Sequence, residues 1–328
     1  MSRMSSIQAP VAEELKSFQG HFKAAMRTDV MLLDRITRYI IKRKGKQMRP
    51  LFVFLTARAV AGGTEPLGER SHVAASLIEL LHTATLVHDD VVDESPMRRG
   101  FFSIQALWKK KVAVLVGDYL LSRGLLMAVD REAYDLLKIT SEAVRQMSEG
   151  ELLQIEKARR LDITERVYFD IIQRKTASLI AACCACGAAA VNKDEETVER
   201  MRRFGELVGL AFQIKDDLLD LGDGERIGKP TGGDIRERKM TLPLIHTLQV
   251  ADASQRRRII RLVKYRNQES AAVQEVMDAI LKGPGMDYSR NKMTELTAEA
   301  LALLEPLEES SAKEALRDLV EFTIHRKR

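Results

Sequence analysis

Two short acidic segments with the same spacing constrain this chain more than any other feature of its sequence. The first, DDVVD, occupies residues 89–93, and the second, DDLLD, occupies residues 216–220; each ends a long apolar run with helical periodicity. Residues four apart share a face of a helix, so the first and last aspartates of each segment point the same way. Clustered carboxylates repel one another and need cations to neutralise them. If the two helices face one another, the cleft between them can hold hard divalent ions and a diphosphate.

The composition favours helices throughout the chain. Of the 328 residues, 45% are apolar and only 8 are proline, and Ala, Leu, Glu, Lys and Arg dominate. The length suffices for one large domain or two ordinary ones. No linker or low-complexity stretch divides the sequence, so we predict one all-α domain over residues 1–328.

Hydrophobic periodicity predicts the order of the helices. Ser71 is the expected N-cap of a long helix that ends at Asp93, and no strand of convincing length is expected. Glycine and proline mark loops at 61–68, 95–102 and 222–238, and a basic turn at 45–50. We expect one or two helices in 11–42, further helices over 51–60, 71–93, 104–129, 132–159, 164–190 and 193–221, another from Thr241, and two or three more in the C-terminal third, interrupted at 283–285.

Charge and composition argue against several classes of function. The net charge of +5 is modest and aromatic residues make up only 5%, whereas a nucleic-acid binder would more often carry a basic stripe with aromatics. Residues 1–10 contain no apolar signal core. The longest uncharged run, 176–192, is too short and too rich in Ala, Gly and Cys for a membrane span; we expect a buried helix there and at most peripheral membrane contact. Cys183, Cys184 and Cys186 match no zinc spacing and are expected to be buried, reduced thiols of a cytoplasmic protein.

Six segments, occurring in one order, give a specific resemblance. They are GKQMRP (45–50), ELLHTATLVHDDVVDESPMRRG (79–100), GDYLL (117–121), RKT (174–176), FQIKDDLLD (212–220) and GKPTGGDIRERKMTLP (228–243). With them the chain resembles the trans-isoprenyl diphosphate synthases, also called polyprenyl synthetases, over nearly its whole length. The resemblance implies a single large bundle of helices around a deep central cavity, a homodimer, and dependence on magnesium.

The resemblance also implies the reaction, which joins an allylic diphosphate to isopentenyl diphosphate. Ionisation of the allylic substrate is the hard step, because the departing pyrophosphate must be stabilised as it forms; metal ions and fixed cations do this. By family matching, Asp89 and Asp93 bind two magnesium ions, and Asp216, supported by Asp220, holds a third. The isopentenyl double bond then attacks the allylic cation, and a proton is lost.

The basic and polar positions follow from the same matching. Arginine offers phosphate a bidentate fork and lysine offers a point charge, whereas neutral oxygens near the reacting carbons stabilise a cation without attacking it. His82 precedes Asp89 by about two helical turns on nearly the same face. The resemblance assigns Lys46, Arg49, His82 and Arg99 to isopentenyl diphosphate; Arg98, Lys175, Lys229 and Lys239 to the allylic diphosphate; and Thr176 and Gln213 to the reacting carbons beside that diphosphate.

Two positions depart from the family pattern. Arg238 stands before Lys239 where many members carry glycine, and it offers an added phosphate contact beside Lys239. Gln47 stands where a basic residue is frequent.

Small residues upstream of the first acidic segment predict a long-chain product. In this family, bulk just before that segment limits growth of the product. Ala84 and Thr85 are small, and Leu81 is a candidate for the deeper floor, so we expect a product longer than geranylgeranyl diphosphate.

Four other interpretations remain open on sequence alone. A short-chain farnesyl or geranylgeranyl diphosphate synthase would keep the fold. A terpene cyclase usually carries one DDxxD motif with a different second metal motif, and a non-catalytic subunit tends to lose its acidic segments. A metal phosphohydrolase is suggested only by the dipeptide His88-Asp89.

Overall fold

The fold is all-α, as the composition predicts. The computed structural model describes residues 3–42, 45, 47–63, 65–98, 100–160, 163–191, 194–222 and 231–325. Its helices are α1 (Arg3–Gln8), α2 (Ala12–Ala25), α3 (Met31–Lys42), α4 (Met48–Ala61), α5 (Glu69–Val92), α6 (Ile104–Asp130), α7 (Tyr134–Arg160), α8 (Glu165–Ile172), α9 (Ser178–Ala189), α10 (Glu195–Asp220), α11 (Gly233–Arg236), α12 (Leu242–Val250), α13 (Ala253–Tyr265), α14 (Ser270–Lys282), α15 (Gly285–Ala302) and α16 (Ser311–His325). Strands β1 (Met97–Arg98) and β2 (Phe101–Phe102) form one short antiparallel ladder.

Most of the predicted helices are confirmed, with four corrections, the first being the short helix α11 inside the loop predicted over 222–238. Ser71 is not an N-cap, because α5 already begins at Glu69 and the extended backbone of Gly68 takes the capping position. The helix expected over 164–190 is divided by a π-helical turn, Gln173–Ala177. The C-terminal third holds α13, α14, α15 and α16 after α12, more than the two or three expected.

The chain forms two compact units, each built from discontinuous segments. The first unit comprises Met1–Val144, Ala182–Arg202 and Pro306–Leu316, and the second comprises Arg145–Ala181, Arg203–Glu305 and Arg317–Arg328. A single domain over residues 1–328 therefore stays a prediction.

The core of the first unit lies around α4 and α5. Helix α4 is apolar on nearly every face, and Leu51, Val53 and Phe54 are fully buried. It packs against α5 and α2, where the Phe18 and Phe54 rings meet edge to face. The three cysteines are buried and unpaired, as predicted, and burial raises the pKa of Cys184 to about 12.

The second unit depends on close approaches between helices at glycine. A Cβ at Gly209 of α10 would lie 2.5 Å from the Cα of Ala177, and one at Gly285 of α15 would lie 2.2 Å from the carbonyl oxygen of Pro243 in α12. Glycine is therefore required where α10 crosses the π-helical turn and where α15 crosses α12.

Helix α6 is, within the described part of the chain, the one helix long and apolar enough to cross a membrane. It packs along α5 inside the first unit, with Gly124 against Leu77 and Leu81. A helix with one buried face passes the same test of length and composition, so this single helix is weak support for a membrane span.

Candidate active site

The first acidic segment forms the C-terminal end of α5. Asp89 and Asp93 are exposed one turn apart, and the Asp93 N–H donates to the Asp89 carbonyl at 2.8 Å. The carboxylate of Asp90 is buried and accepts a hydrogen bond from Arg98 Nε at 2.6 Å. Since the C-terminal end of a helix already carries partial negative charge, three carboxylates there favour a bound cation.

A cavity of about 140 Å³ in the first unit lies beside this helix end and brings together Arg49, His82, Arg98 and Asp90. Two residues predicted for isopentenyl diphosphate, Arg49 and His82, therefore share a wall with Arg98. Lys46 and Arg99 lie outside the described residues.

Aromatic side chains form the other wall of this cavity, and the sequence analysis missed them. Phe22, Tyr39, Phe101 and Phe102 line it, and the Tyr39 hydroxyl donates to the Phe102 carbonyl at 2.8 Å. No spacing rule joins these residues, because α2, α3 and the β1–β2 ladder contribute them separately. The cavity thus offers cations for a phosphate and an apolar surface for a short hydrocarbon.

The second acidic segment forms the C-terminal end of α10 and repeats this electrostatic arrangement. Asp216 and Asp220 are half-buried and Asp217 is buried. Both oxygens of Asp220 accept backbone N–H groups, from Gly233 and Asp234, each at 3.1 Å. The contacts of Asp220 therefore anchor the start of α11, and its role as a supporting ligand stays a prediction.

Hydrogen bonds connect the second acidic segment to two of the predicted catalytic residues. Asp217 Oδ2 accepts from the Tyr168 hydroxyl at 2.7 Å, and Asp217 Oδ1 accepts from Gln213 Nε2 at 3.0 Å. Gln213 Oε1 in turn accepts from Thr176 Oγ1 at 3.0 Å. Burial raises the pKa of Asp217 to about 7, although the hydrogen bonds from Tyr168 and Gln213 oppose that rise. Burial and the negative charge of Asp217 raise the pKa of Tyr168 well above its usual value, so the phenol remains a donor.

Thr176 lies in the π-helical turn between α8 and α9. A Cβ at Gly150 of α7 would lie 2.7 Å from the backbone nitrogen of Lys175, so α7 passes directly against this turn. Such turns occur frequently at functional sites. The sequence predicts Lys175 and Thr176 as site residues, but their unusual backbone depends on packing against α7.

The predicted cations of the second unit are held by carboxylates. Lys175 Nζ lies 2.5 Å from Glu151 Oε2, and Lys239 Nζ lies 2.6 Å from Glu237 and 3.3 Å from Asp234. Burial lowers the pKa of Lys239, but the hydrogen bonds and charges of Glu237 and Asp234 outweigh it and raise the pKa above its usual value. Lys229 lies outside the described residues.

A second cavity, of about 170 Å³, lies in the second unit beside these groups. Lys175, Thr176, Gln213, Lys239 and Arg238 line it. Arg238 has φ of +57°, the left-handed conformation that glycine adopts most readily. The residue that departs from the family pattern therefore keeps a glycine-like backbone and adds a guanidinium to this cavity.

The residues predicted to set product length lie inside the first unit. Ala84 and Leu81 are buried, and Thr85 is half-buried with its hydroxyl donating to the His82 carbonyl at 2.9 Å. Leu81 contacts α6 at Gly124.

Comparison with known protein families tests the resemblance inferred from the sequence. A sequence model of the family described as polyprenyl synthetase matches residues 30–280. The chain belongs to the polyprenyl synthetase family. It is similar to an all-trans-nonaprenyl-diphosphate synthase (geranyl-diphosphate specific) from Rhodobacter capsulatus, with 37% identity over 98% of this chain and 97% of that protein.

Solved structures of the polyprenyl synthetase family have the same fold. A decaprenyl diphosphate synthase from Rhodobacter capsulatus matches with a TM-score of 0.91 and 33% identity, covering 99% of each chain. A polyprenyl synthase from Caulobacter crescentus CB15, crystallised with calcium and isoprenyl diphosphate, matches with a TM-score of 0.88 and 31% identity, covering 99% of this chain and 98% of that one. The resemblance inferred from six segments is thus confirmed, and so is the all-α fold.

Family membership makes the chain a prenyltransferase. The family uses a divalent metal for catalysis. In the described part of the chain, no three His, Cys, Asp or Glu side chains are already grouped to hold an ion. The exposed Asp89 and Asp93 fit a divalent ion at the end of α5, and the half-buried Asp216 fits one at the end of α10, because all three are hard oxygen donors at helix ends that favour positive charge. Substrate oxygens would complete the coordination.

Proposed function

We propose that this chain is a magnesium-dependent prenyltransferase that condenses an allylic diphosphate with isopentenyl diphosphate to make a long-chain all-trans polyprenyl diphosphate. One observation carries the proposal beyond family membership. In each unit a long helix ends in an acidic segment with the same spacing of aspartates. Each unit also has a cavity that is lined by cationic side chains. A carboxylate-rich helix end and nearby cations suit a metal-bound diphosphate.

The metal ligands we propose are Asp89 and Asp93 for two magnesium ions and Asp216, with support from Asp220, for a third. Bound ions would supply Lewis-acid stabilisation of the departing pyrophosphate. Asp90 acts differently from these ligands, because its contact with Arg98 holds that guanidinium in the cavity of the first unit.

The two cavities suggest how the cationic residues divide between the substrates. In the first unit, Arg49 and His82 hold the phosphates of isopentenyl diphosphate, together with Lys46 and Arg99 by family matching. In the second unit, Lys175 and Lys239 exchange their carboxylate partners for the allylic diphosphate, with Lys229 by family matching. Arg98 is assigned to the allylic diphosphate by the same matching, although it lines the cavity that contains Arg49.

Thr176 and Gln213 stabilise the positive charge that develops on the allylic carbons. Both side chains line the cavity of the second unit, and each presents an oxygen. A hydroxyl or amide oxygen offers partial negative charge but is a poor nucleophile at neutral pH, so it stabilises a cation without trapping it.

Product length is set on the face of α5 that carries Ala84, Thr85 and Leu81. The small, buried Ala84 leaves room for the growing chain, which favours a long product over the farnesyl or geranylgeranyl alternative. The nonaprenyl and decaprenyl synthases to which the chain is similar support this assignment.

We also propose a cytoplasmic homodimer with at most peripheral membrane contact. Helix α6 leaves an apolar face exposed, with Leu115 59% and Leu126 51% accessible. A second copy of the chain is the partner that would cover this face, because an isologous dimer is the commonest assembly for such a surface. The interspersed charges and the low aromatic content give no support for nucleic-acid binding.

The deciding experiment is a product analysis. Purified protein is incubated with labelled isopentenyl diphosphate, each allylic starter in turn and Mg²⁺, and the products are sized by chromatography. Asp89→Ala and Asp216→Ala should each lower kcat by about a hundredfold or more with little loss of stability, since they relieve carboxylate repulsion at a helix C-terminus.

The matched control is Asp130→Ala, because Asp130 is an exposed aspartate at the C-terminal end of α6. It should keep the activity of the wild type. Absence of prenyl transfer by the wild type, or near-normal turnover of Asp89→Ala, would contradict the proposal.

A further inference from the structure

A buried tyrosine outside the predicted site residues contacts the second acidic segment. Tyr168 of α8 is 4% exposed and lines the same cavity as Thr176 and Gln213. Its hydroxyl donates to Asp217 Oδ2 at 2.7 Å. A buried phenol that donates to a carboxylate favours one rotamer of that carboxylate, because turning away would leave the phenol and one carboxylate oxygen without a partner.

The orientation of Gln213 follows from the carboxylate of Asp217. Tyr168 donates to Asp217 Oδ2, and the other oxygen, Oδ1, accepts from the NH₂ group of Gln213, so the carbonyl oxygen of that amide points away from Asp217. That oxygen then meets Thr176, whose hydroxyl donates to it at 3.0 Å. The remaining lone pairs of Gln213 Oε1 and Thr176 Oγ1 are therefore available to the cavity.

If the Gln213 amide were flipped, the partial charge that it presents to the cavity would change from negative to positive. If Asp217 rotated, the NH₂ group of Gln213 would be free to face Thr176 and the cavity. Its partial positive charge would then lie near the allylic carbons as they become cationic, which opposes ionisation. The hydrogen bonds that connect Asp217, Gln213 and Thr176 thus depend on the rotamer of Asp217.

We propose that Tyr168 is a positioning residue, which holds Asp217 so that Gln213 and Thr176 direct oxygen lone pairs towards the allylic carbons. This inference rests on the proposed prenyl transfer. Tyr168 itself touches no substrate, and it acts only through Asp217 and Gln213.

Steady-state kinetics of Tyr168→Phe test the proposal. We expect kcat to fall about tenfold, equivalent to about 1.4 kcal/mol in the barrier, because fewer molecules hold the amide correctly. The KM values of both substrates should stay within about threefold, since no phosphate contact is lost. Tyr288→Phe is the matched control: that phenol also donates to a carboxylate, Glu165 Oε1 at 2.7 Å, but does not line the cavity, and kcat should change by less than about twofold.

A double-mutant cycle separates positioning from general structural support. In a Gln213→Leu background the amide that Asp217 orients is gone, so adding Tyr168→Phe should cost less than about twofold in kcat. An equal tenfold loss in both backgrounds, or no loss in the wild-type background, overturns the proposal. If Tyr168→Phe unfolds, Tyr168→4-aminophenylalanine keeps the ring and a donor, and it should retain the wild-type kcat.

A crystal structure of Tyr168→Phe gives an answer that does not depend on activity. We expect Asp217 to rotate and the contact between Gln213 Oε1 and Thr176 Oγ1 to lengthen beyond about 3.5 Å. An unchanged contact overturns the inference. A wild-type protein without prenyl transfer would overturn the proposed function, and the crystal structure would still decide whether Tyr168 positions the amide.

Discussion

At the residue scale, Arg238 shows how a departure from a family pattern is accommodated. The sequence shows that arginine replaces a frequent glycine, and the structure shows that the backbone at φ +57° still has the conformation glycine favours. The left-handed conformation costs about 1 kcal/mol or more for a residue with a Cβ. The guanidinium, placed in the cavity of the second unit, is the functional gain that we associate with this cost.

Replacing Arg238 with glycine should separate the conformational cost of the arginine from its contribution to substrate binding. In Arg238→Gly the free energy of unfolding should stay the same or rise by up to about 1 kcal/mol, whereas the KM for the allylic diphosphate should rise about three- to tenfold. Chemical denaturation and steady-state kinetics measure the two quantities. Glu132→Gly is the control, since Glu132 also has a left-handed backbone, with φ of +52°, but lies in the turn between α6 and α7. An unchanged KM in Arg238→Gly would show that Arg238 makes no phosphate contact.

At the element scale, the crossing of α10 over the π-helical turn fixes Thr176 relative to Gln213. The backbone at Ala177 blocks a Cβ on Gly209, and neither helix has a flexible side chain there that could yield. Gly209→Ala should therefore lower the free energy of unfolding by about 1–3 kcal/mol, despite the better helix propensity of alanine, and should lower kcat as well.

The chain provides a matched control for this substitution. Gly20 lies within α2, and a Cβ added there would meet nothing within 4 Å. Gly20→Ala should raise the free energy of unfolding by about 0.5–1 kcal/mol. If both variants were stabilised to the same extent in urea denaturation, the close crossing at Gly209 would be wrong.

Helix α5 carries the residues that we propose to limit product length. Ala84→Phe should shorten the main product by one or more isoprene additions, because the ring would fill space that the growing chain needs. Chromatographic sizing of the products measures this, and Ala84→Ser, which adds little volume, should leave the product unchanged. A full-length product from a folded Ala84→Phe variant would defeat the assignment of this face.

How far the sequence predicts these elements depends on whether their signals are local. The end of α5 is predicted well, because an apolar run and an acidic segment define it within a few turns. The π-helical turn is not, since it depends on contact with Gly150 of α7. Likewise, Tyr168 has no motif that marks it, and only the folded chain places its hydroxyl beside Asp217. The number of helices in the C-terminal third is underestimated, because turns of only a few residues separate α12, α13 and α14.

At the scale of the whole molecule, both units place acidic side chains at the C-terminal end of a long helix. The segments 80–93 and 207–220 resemble each other in sequence, and the structure places each acidic segment at the C-terminal end of its helix. Carboxylates at that end oppose the helix dipole, so neither segment is explained by the stability of its own helix. The cation binding that we propose would make both placements favourable.

The exposed apolar face of α6 predicts that two copies of the chain associate. We expect sedimentation velocity to show a dimer at micromolar concentration. Leu126→Glu would place a charge in an apolar interface, so it should weaken the dimer at least about tenfold and yield monomers on dilution. Leu281→Glu is the control, because Leu281 is 48% exposed on α14, within the second unit, and its dimer should persist. A monomeric wild type, or a Leu126→Glu variant as strongly dimeric as the wild type, would show that a second copy does not cover this face.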